Sequence, residues 1–311
     1  MSQIAQPDDA TQLASIVEAA ARTQTPLLTT AGDSKWDWGR GLADTVHNDR
    51  SLGHSTPTQL NLSALSGIVD YEPSELVLVV GAATPLAQIE PLLTEQGQHL
   101  AFEPVHWRST ATAGGTVAVG LAGPRRFRAG SVRDFVLGLQ FVDGKGRLVR
   151  SGGRVVKNVS GFDLWRGLTG SFGSLGLITE VCFKLWPRPE AQCTLLFERP
   201  QLQAASRTML QLAQRQEEIS GLAYVPTQGV VARLEGSASA LQAQTETIAR
   251  DVAVDDRLPH DESCTLWRAL REVESLREKS GTLWRFVVPA ARWVELVGDL
   301  QAQGIEDYHV D

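Results

Sequence analysis

The sequence predicts an α+β protein in two parts, the first formed by residues 1–190 and the second by residues 191–311. Patterns typical of helices and strands alternate along the 311 residues. Fifteen of the 28 glycines fall between Gly114 and Gly176, where tight turns or close backbone contacts are therefore expected. Pro187 and Pro189 then precede a segment rich in alanine and glutamine, which indicates a boundary near residue 190.

The elements of the first part follow from apolar spacing and turn residues. Leu13, Ile16 and Val17 recur at helical spacing, Pro85 suits the first turn of a helix, and residues 143–146 (DGKG) predict a hairpin turn. The predicted order is helix 8–22, strands 26–30, 59–62, 67–71 and 76–80, helix 84–96, a hairpin of 131–142 with 147–150, helix 158–169 and strand 174–186.

The second part alternates in the same way, which predicts a sheet with helices on one face. The predicted order is strand 193–198, helix 201–217, strands 221–226 and 229–235, helices 237–250 and 262–275, strand 282–288 and helix 290–303, followed by the start of a terminal strand.

Composition excludes several classes of protein. Hydrophobic residues make up 42% and charged residues 21%, which is typical of a globular chain. The net charge of −7 leaves no basic surface for nucleic acid. No apolar run approaches the roughly 20 residues that span a bilayer, and the N-terminus lacks a signal-peptide pattern. Three scattered cysteines are typical of a reducing compartment, so a cytoplasmic location is expected.

Glycine-rich segments replace the usual cofactor motifs. The sequence contains no G-x-G-x-x-G between a strand and a helix and no P-loop. Four segments rich in turn residues (112–118, 130–134, 152–158 and 173–180) lie within 70 residues. Gly114 and Gly115 stand at a predicted helix start, where free backbone N–H groups would suit a phosphate, and a side chain at Gly115 would push the backbone away. Each segment alone could be a simple turn, but together they indicate an extended anionic ligand.

These segments resemble a known family. The motifs are TAGG (112–115), LAGPRR (121–126), GSVRDFVLG (130–138), KNVSGFDL (157–164), GTLWR (281–285) and VDYEPSELV (69–77). They are similar to FAD-binding domains of the vanillyl-alcohol oxidase type, also called PCMH-type, and more closely to the FAD-binding subunits of bacterial glycolate oxidases. The resemblance implies a two-subdomain FAD-binding domain in residues 1–190 and a smaller α/β cap in 191–311, shortened at its C-terminus relative to the family.

The resemblance also implies a set of FAD-binding residues. A first pyrophosphate loop, called the first loop below, is formed by Ala31, Gly32, Asp33, Ser34 and Lys35, and a second by Ala113, Gly114 and Gly115. Glu103 and Pro104 correspond to a segment beside the flavin ring, Gly130 and Ser131 to a passage along the cofactor, and Gly176 and Ile178 to backbone contacts at the adenine end. Ala31 and the acidic Asp33 depart from the family, whose first loop is richer in glycine.

The positions of the histidines predict how the flavin is attached and whether the chain carries a catalytic residue. Family members that bind flavin covalently use a histidine in the first loop; here the nearest, His47 and His54, follow it, so non-covalent FAD is expected. The catalytic relatives carry an H-x-G-D-G-N-x-H segment in the second domain. Beyond residue 190 this chain has only His260 and His309, neither in such a segment, so no catalytic residue is assigned.

The implied role is that of the FAD-binding subunit of a glycolate oxidase complex, which is not catalytic by itself. The implied partners are a homologous catalytic flavin subunit and an iron–sulfur subunit. A small 2-hydroxy acid is oxidised by the complex, and any membrane association is through the complex. Two alternatives stay open: a self-sufficient oxidase that takes its base from Tyr224, His260 or Glu262, and a structural subunit that has lost flavin.

Other side chains allow more than one interpretation. The basic cluster Arg125, Arg126, Arg128 and Arg133 is consistent with flavin or partner contacts and equally with a solvated surface. Core or interface packing is favoured over flavin stacking for Trp36, Trp38, Trp107 and Trp165, and Cys182 is expected to be a buried thiol.

Overall fold

The computed structural model describes residues 4–36, 38, 57–153 and 163–311. Backbone contacts divide the chain into two compact units. The first unit comprises Met1–Leu121 with Ser131–Arg188, and the second comprises Ala122–Gly130 with Pro189–Asp311. The short segment 122–130 therefore groups with the C-terminal part of the chain and not with its neighbours in sequence.

The described residues form the following elements. The strands are β1 (Ile4–Ala5), β2 (Leu27–Thr30), β3 (Thr58–Asn61), β4 (Ile68–Glu72), β5 (Val77–Gly81), β6 (Gln98–His99), β7 (Val136–Val142), β8 (Leu148–Gly152), β9 (Leu177–Lys184), β10 (Trp186–Pro187), β11 (Ala191–Phe197), β12 (Ile219–Val225), β13 (Gly229–Gly236) and β14 (Asp256–Leu258). The helices are α1 (Ala10–Thr23), α2 (Leu86–Glu95), α3 (Ala113–Val119), α4 (Arg126–Ala129), α5 (Val132–Phe135), α6 (Leu164–Leu168), α7 (Leu202–Ala213), α8 (Ala238–Asp251), α9 (His260–Glu272), α10 (Glu274–Arg277) and α11 (Trp293–Ala302).

The first unit is built around a five-stranded antiparallel sheet in the order β4-β5-β9-β7-β8. All five residues of β5 are buried, so both faces of the sheet are covered at this strand, which is also paired on both edges. A smaller parallel sheet, β1-β3-β2, shares a core with α1 through Leu13, Val17 and Leu60. Helix α3 packs against β5, β9 and α5, so its N-terminus lies beside the central strands.

The second unit is an antiparallel sheet in the order β12-β13-β11-β14. Side chains of α7, α8 and α11 form one core with Leu222, Tyr224 and Ala232. Their neighbours along the strands, Ala223 and Val231, point the other way and pack against Trp267 of α9. The prediction of helices on one face only was therefore wrong: apolar residues occupy consecutive positions in β12 and β13, so both faces of the sheet need a cover.

Most predicted elements are confirmed within a few residues, and the exceptions have local causes. Residues 132–135 form α5 and do not begin the strand, because Asp134 accepts hydrogen bonds from Ser131 at the start of the helix. No strand is present in 282–288, which is described throughout as irregular chain. The predicted strand 174–186 is interrupted between β9 and β10, and of the predicted helix 158–169 only the described part, from residue 163, can be compared.

Candidate functional site

The first loop follows β2 and lies directly on the chain that precedes α3. A Cβ atom placed on Gly32 would be 1.7 Å from the carbonyl oxygen of Thr110 and 3.0 Å from Cγ2 of Thr112. The first distance leaves no room for a side chain at this position. The loop therefore depends on glycine here for a close contact between two backbone segments.

Three successive backbone N–H groups of the first loop are available as donors. Within the described part of the chain, the N–H groups of Gly32, Asp33 and Ser34 have no hydrogen-bond acceptor. Asp33 is in the left-handed region, with a φ of 49°. Consecutive N–H groups around a left-handed residue form a concavity that binds anions. The local geometry of this loop therefore suits a phosphate group.

A fixed cation stands beside these donors. Nζ of Lys35 donates to Oγ of Ser34 and to the carbonyl oxygen of His106, both at 3.3 Å, and it lies 5.8 Å from the centre of the Trp107 ring. Trp107 in turn contacts Trp38 edge-on, with ring centres 5.0 Å apart. The lysine thus adds a positive charge to the loop and joins it to the segment 103–107.

The segment 103–107 has two strained positions. Glu103 and Trp107 have φ values of 51° and 56°, and Pro104 between them is buried. His106 is held by a contact of 3.0 Å between its Nε2 and Oε1 of Glu90 on α2. Non-glycine residues in this conformation persist only where their surroundings hold them, so the segment is firmly positioned beside the first loop.

The second predicted loop is close to the first, but its N–H groups are already in use. The N–H groups of Ala113 and Gly114 donate to the carbonyl oxygens of Thr84 and Ala82, at 2.9 and 2.7 Å. The N–H of Gly115 donates to Oγ1 of Thr112, the residue that caps α3, at 3.2 Å. The expectation of free N–H groups here was wrong, because the chain beyond β5 supplies their acceptors.

The two adjacent glycines of α3 have different roles. A Cβ atom on Gly114 would lie 2.6 Å from Cβ of Ala82, so this glycine lets the helix pack against the end of β5. A Cβ atom on Gly115 would meet only Oγ1 of Thr112, at 3.0 Å. A side chain at Gly114 would therefore press on Ala82, while the predicted effect of a side chain at Gly115 on the diphosphate stays a prediction.

Among the described residues, the remaining predicted cofactor-binding positions offer fewer backbone N–H groups to a ligand. Gly130 has a φ of 104°, and the N–H and hydroxyl groups of Ser131 both donate to Asp134 at 2.8 Å. In the described chain no hydrogen bond connects Ser131 with the first loop. Gly176 lies against Phe141, and Ile178 is buried in β9 between β5 and β7. Their proposed contacts with the cofactor stay predictions.

The basic cluster separates into one buried and three exposed side chains. Arg125 is buried and pairs with Glu235 at 2.7 Å, and Arg233 lies 3.8 Å from the same carboxylate. Arg233 also donates to Oγ of Ser220 at 2.9 Å and covers the ring of Trp267. Arg125 is therefore part of the framework of the second unit. The exposed members are Arg126, Arg128 and Arg133.

The side chains considered as catalytic bases are poorly suited to that role. Burial raises the pKa of Tyr224, whose ring contacts Trp293 and Tyr308. Nδ1 of His260 accepts the N–H of Gln192 at 3.1 Å, and Glu262 is exposed. His47 and His54 lie outside the described residues.

Within the residues that the structure describes, no group of three or more histidine, cysteine and acidic side chains could hold a metal ion. In the same residues, no helix combines the length and apolar character needed to cross a membrane. Trp165 and Cys182 are buried, as expected, and Trp36 is exposed.

Comparisons with known proteins identify the family. The family described as "FAD binding domain" matches residues 1–152, so FAD is the cofactor of this part of the chain, as the resemblance implied. The glycolate oxidase subunit GlcE of Escherichia coli is 38% identical over 285 residues, which cover 91% of this chain and 75% of that protein. The glycolate oxidase subunit GlcD of Bacillus subtilis is 40% identical over 99 residues, or 32% of this chain and 21% of that protein.

The fold is also found among solved structures. A p-cresol methylhydroxylase with bound substrate aligns with a TM-score of 0.65 at 14% identity, over 86% of this chain and 60% of that one. This likeness confirms the predicted α+β fold of the PCMH type. Together with the match to GlcE, it confirms the family resemblance of the sequence motifs, and the chain belongs to the glycolate oxidase subunit GlcE family.

Proposed function

We propose that this chain is the FAD-binding subunit of a glycolate oxidase complex and that it holds FAD non-covalently through the first loop. The observation that supports this most strongly is the run of three N–H groups without an acceptor at Gly32, Asp33 and Ser34, within the described chain. The family match supports FAD as the ligand.

The diphosphate of FAD is the part of the cofactor that the first loop would recognise. Each hydrogen bond to a charged group contributes about 1.5–3 kcal/mol, so three such bonds supply a substantial part of an affinity in the micromolar range or tighter. The ammonium group of Lys35 adds charge attraction because Ser34 and His106 hold it at the edge of the loop. Pro104 and Trp107 would then line the path toward the flavin ring.

In the proposed reaction the complex oxidises glycolate to glyoxylate, and FAD held by the first loop of this chain would supply a carrier for the two electrons. This step also needs a base for the hydroxyl proton and a cation for the carboxylate. Tyr224 is protonated at neutral pH because the ordinary pKa of a tyrosine is about 10 and burial raises it further, and the other candidates are held by Gln192 or exposed. We therefore assign the base and the carboxylate site to a homologous flavin subunit of the GlcD kind.

The electrons must then leave the flavin. The chain has three cysteines, of which Cys182 and Cys193 are buried in different units, whereas an iron–sulfur cluster of the usual kind needs four thiolates. We assign the electron acceptor to a separate iron–sulfur subunit. The complex would operate in the cytoplasm, and any association with a membrane would be through its other subunits.

Two measurements on the purified chain test this proposal. Acid precipitation should release the flavin into the supernatant, and flavin that stays in the pellet would contradict non-covalent binding. Anaerobic mixing with glycolate or D-lactate should leave the flavin of the isolated chain oxidised, while the assembled complex becomes reduced. Rapid bleaching of the isolated chain would instead favour the self-sufficient oxidase. A chain without flavin that the active complex still requires would favour the structural subunit.

A further inference from the structure

The first loop contains an acid at its centre. Oδ1 of Asp33 accepts the N–H of Ala31 at 3.0 Å, so the carboxylate folds back onto its own loop. The side chain is exposed, and its backbone is left-handed. The carboxylate therefore belongs to the same short segment as the N–H groups of Gly32 and Ser34, which have no acceptor in the described chain.

A carboxylate and a diphosphate have the same requirements. Both are anions, and both accept hydrogen bonds from backbone N–H groups. Adjacent Cα atoms are 3.8 Å apart, so a diphosphate bound to Gly32 or Ser34 would lie within a Debye length of the Asp33 carboxylate at physiological salt. Lys35 supplies one positive charge, but Ser34 and His106 hold it at the edge of the loop. The loop as a whole then has no net positive charge.

We propose that Asp33 is an internal anion of the phosphate loop: it binds the N–H of Ala31 and competes electrostatically with the FAD diphosphate. This inference rests on the proposed function. Its consequence is a weakened affinity for FAD, so that the cofactor of this subunit exchanges more readily than it would in a loop without the acid. Asp33 is thus a residue that sets cofactor affinity without contributing to the chemistry.

The test compares Asp33→Asn with a matched loss of charge elsewhere in the same unit. Asparagine tolerates the left-handed conformation and keeps an oxygen for the N–H of Ala31, so the loop should keep its shape. Glu95→Gln removes one exposed negative charge at the end of α2. Dissociation constants for FAD and for riboflavin, which has no phosphate, are measured by flavin fluorescence on the full apo-chains at low and at high salt.

The expected result is a dissociation constant for FAD about tenfold lower in Asp33→Asn than in the wild type, which corresponds to about 1.4 kcal/mol. Glu95→Gln should match the wild type, and riboflavin should bind all three proteins equally. The gain for FAD should shrink at 1 M salt, where the Debye length is about 3 Å. A purely structural role of Asp33 would not produce this dependence on salt and on phosphate.

Other outcomes overturn the inference in distinguishable ways. Equal FAD affinity in the wild type and Asp33→Asn would show that the acid does not compete, while the proposed function would stand. A gain that extends to riboflavin would show an effect of loop shape and not of charge. If neither the wild type nor the variants bind FAD, the proposed function fails, and this inference fails with it.

Discussion

Replacing Gly32 by alanine tests the packing of the first loop against the start of α3. The new Cβ atom would lie 1.7 Å from the carbonyl oxygen of Thr110, whereas real contacts of this kind are at least 3.0 Å long. The loop must therefore move by about 1.3 Å. Because an N–H···O bond needs a donor–acceptor distance of about 2.7–3.2 Å, such a shift takes neighbouring N–H groups out of range of a bound phosphate.

The magnitude follows from the bonds that are lost. If two of the three proposed contacts to the diphosphate fail, at about 1.5 kcal/mol each, FAD affinity falls by about a hundredfold or more. Titration of the apo-chain with FAD, followed by fluorescence, measures this change. Gly144→Ala is the control, because a Cβ atom on Gly144 meets nothing within 4 Å and this glycine belongs to the same unit.

The expected pattern is loss of FAD binding in Gly32→Ala with a circular dichroism spectrum like that of the wild type, and unchanged binding in Gly144→Ala. Wild-type affinity in a folded Gly32→Ala protein would refute the assignment of the first loop. Equal losses in both variants would show that the effect is not specific to the contact with Thr110.

Three further predictions concern packing and pH. Glu235→Gln should lower the free energy of unfolding by about 3 kcal/mol in urea denaturation, because it leaves the buried Arg125 and Arg233 without their shared carboxylate; a change below 1 kcal/mol would contradict this. Gly114→Ala should lower the melting temperature more than Gly115→Ala, since only the former presses against Ala82, and the reverse order would contradict that packing. The hydrogen bond from Arg215 lowers the pKa of Glu217. The ion pair therefore stabilises the folded state fully at pH values above 4.5, the ordinary pKa of a glutamate, and this stabilisation is lost as the pH falls through the lowered pKa. Urea denaturation between pH 6 and about pH 3 should show this loss, and Glu217→Gln should reduce it; an unchanged slope in the variant would contradict the assignment.

Local patterns were sufficient to predict elements that are marked by a continuous apolar run or by a proline or turn residue. The apolar run of β5 and the proline before α2 both correspond to observed elements. The second face of the sheet in the second unit was missed, although consecutive apolar residues such as Val230, Val231 and Ala232 indicate burial on both sides. The prediction of one covered face came from the order of helices and strands, which does not show how many faces of a sheet are covered.

The candidate site was located by its sequence motifs, but its hydrogen bonds depend on tertiary contacts. The acceptors of the Ala113 and Gly114 N–H groups are carbonyl oxygens about 30 residues earlier, at Thr84 and Ala82. No local sequence pattern around residue 113 predicts these acceptors. The contact between Gly32 and Thr110 likewise joins residues far apart in sequence. The glycine itself was the only signal, and it does not identify the partner.

Hydrogen–deuterium exchange with and without FAD tests most directly which loop holds the diphosphate. In the apo-chain the amides of Gly32, Asp33 and Ser34 have no acceptor among the described residues, whereas those of Ala113 and Gly114 are already bonded. FAD should therefore slow exchange in the peptide that contains residues 32–34 and leave exchange at residues 113 and 114 unchanged. Protection confined to residues 113–115, with none at 32–34, would contradict the assignment of the diphosphate to the first loop.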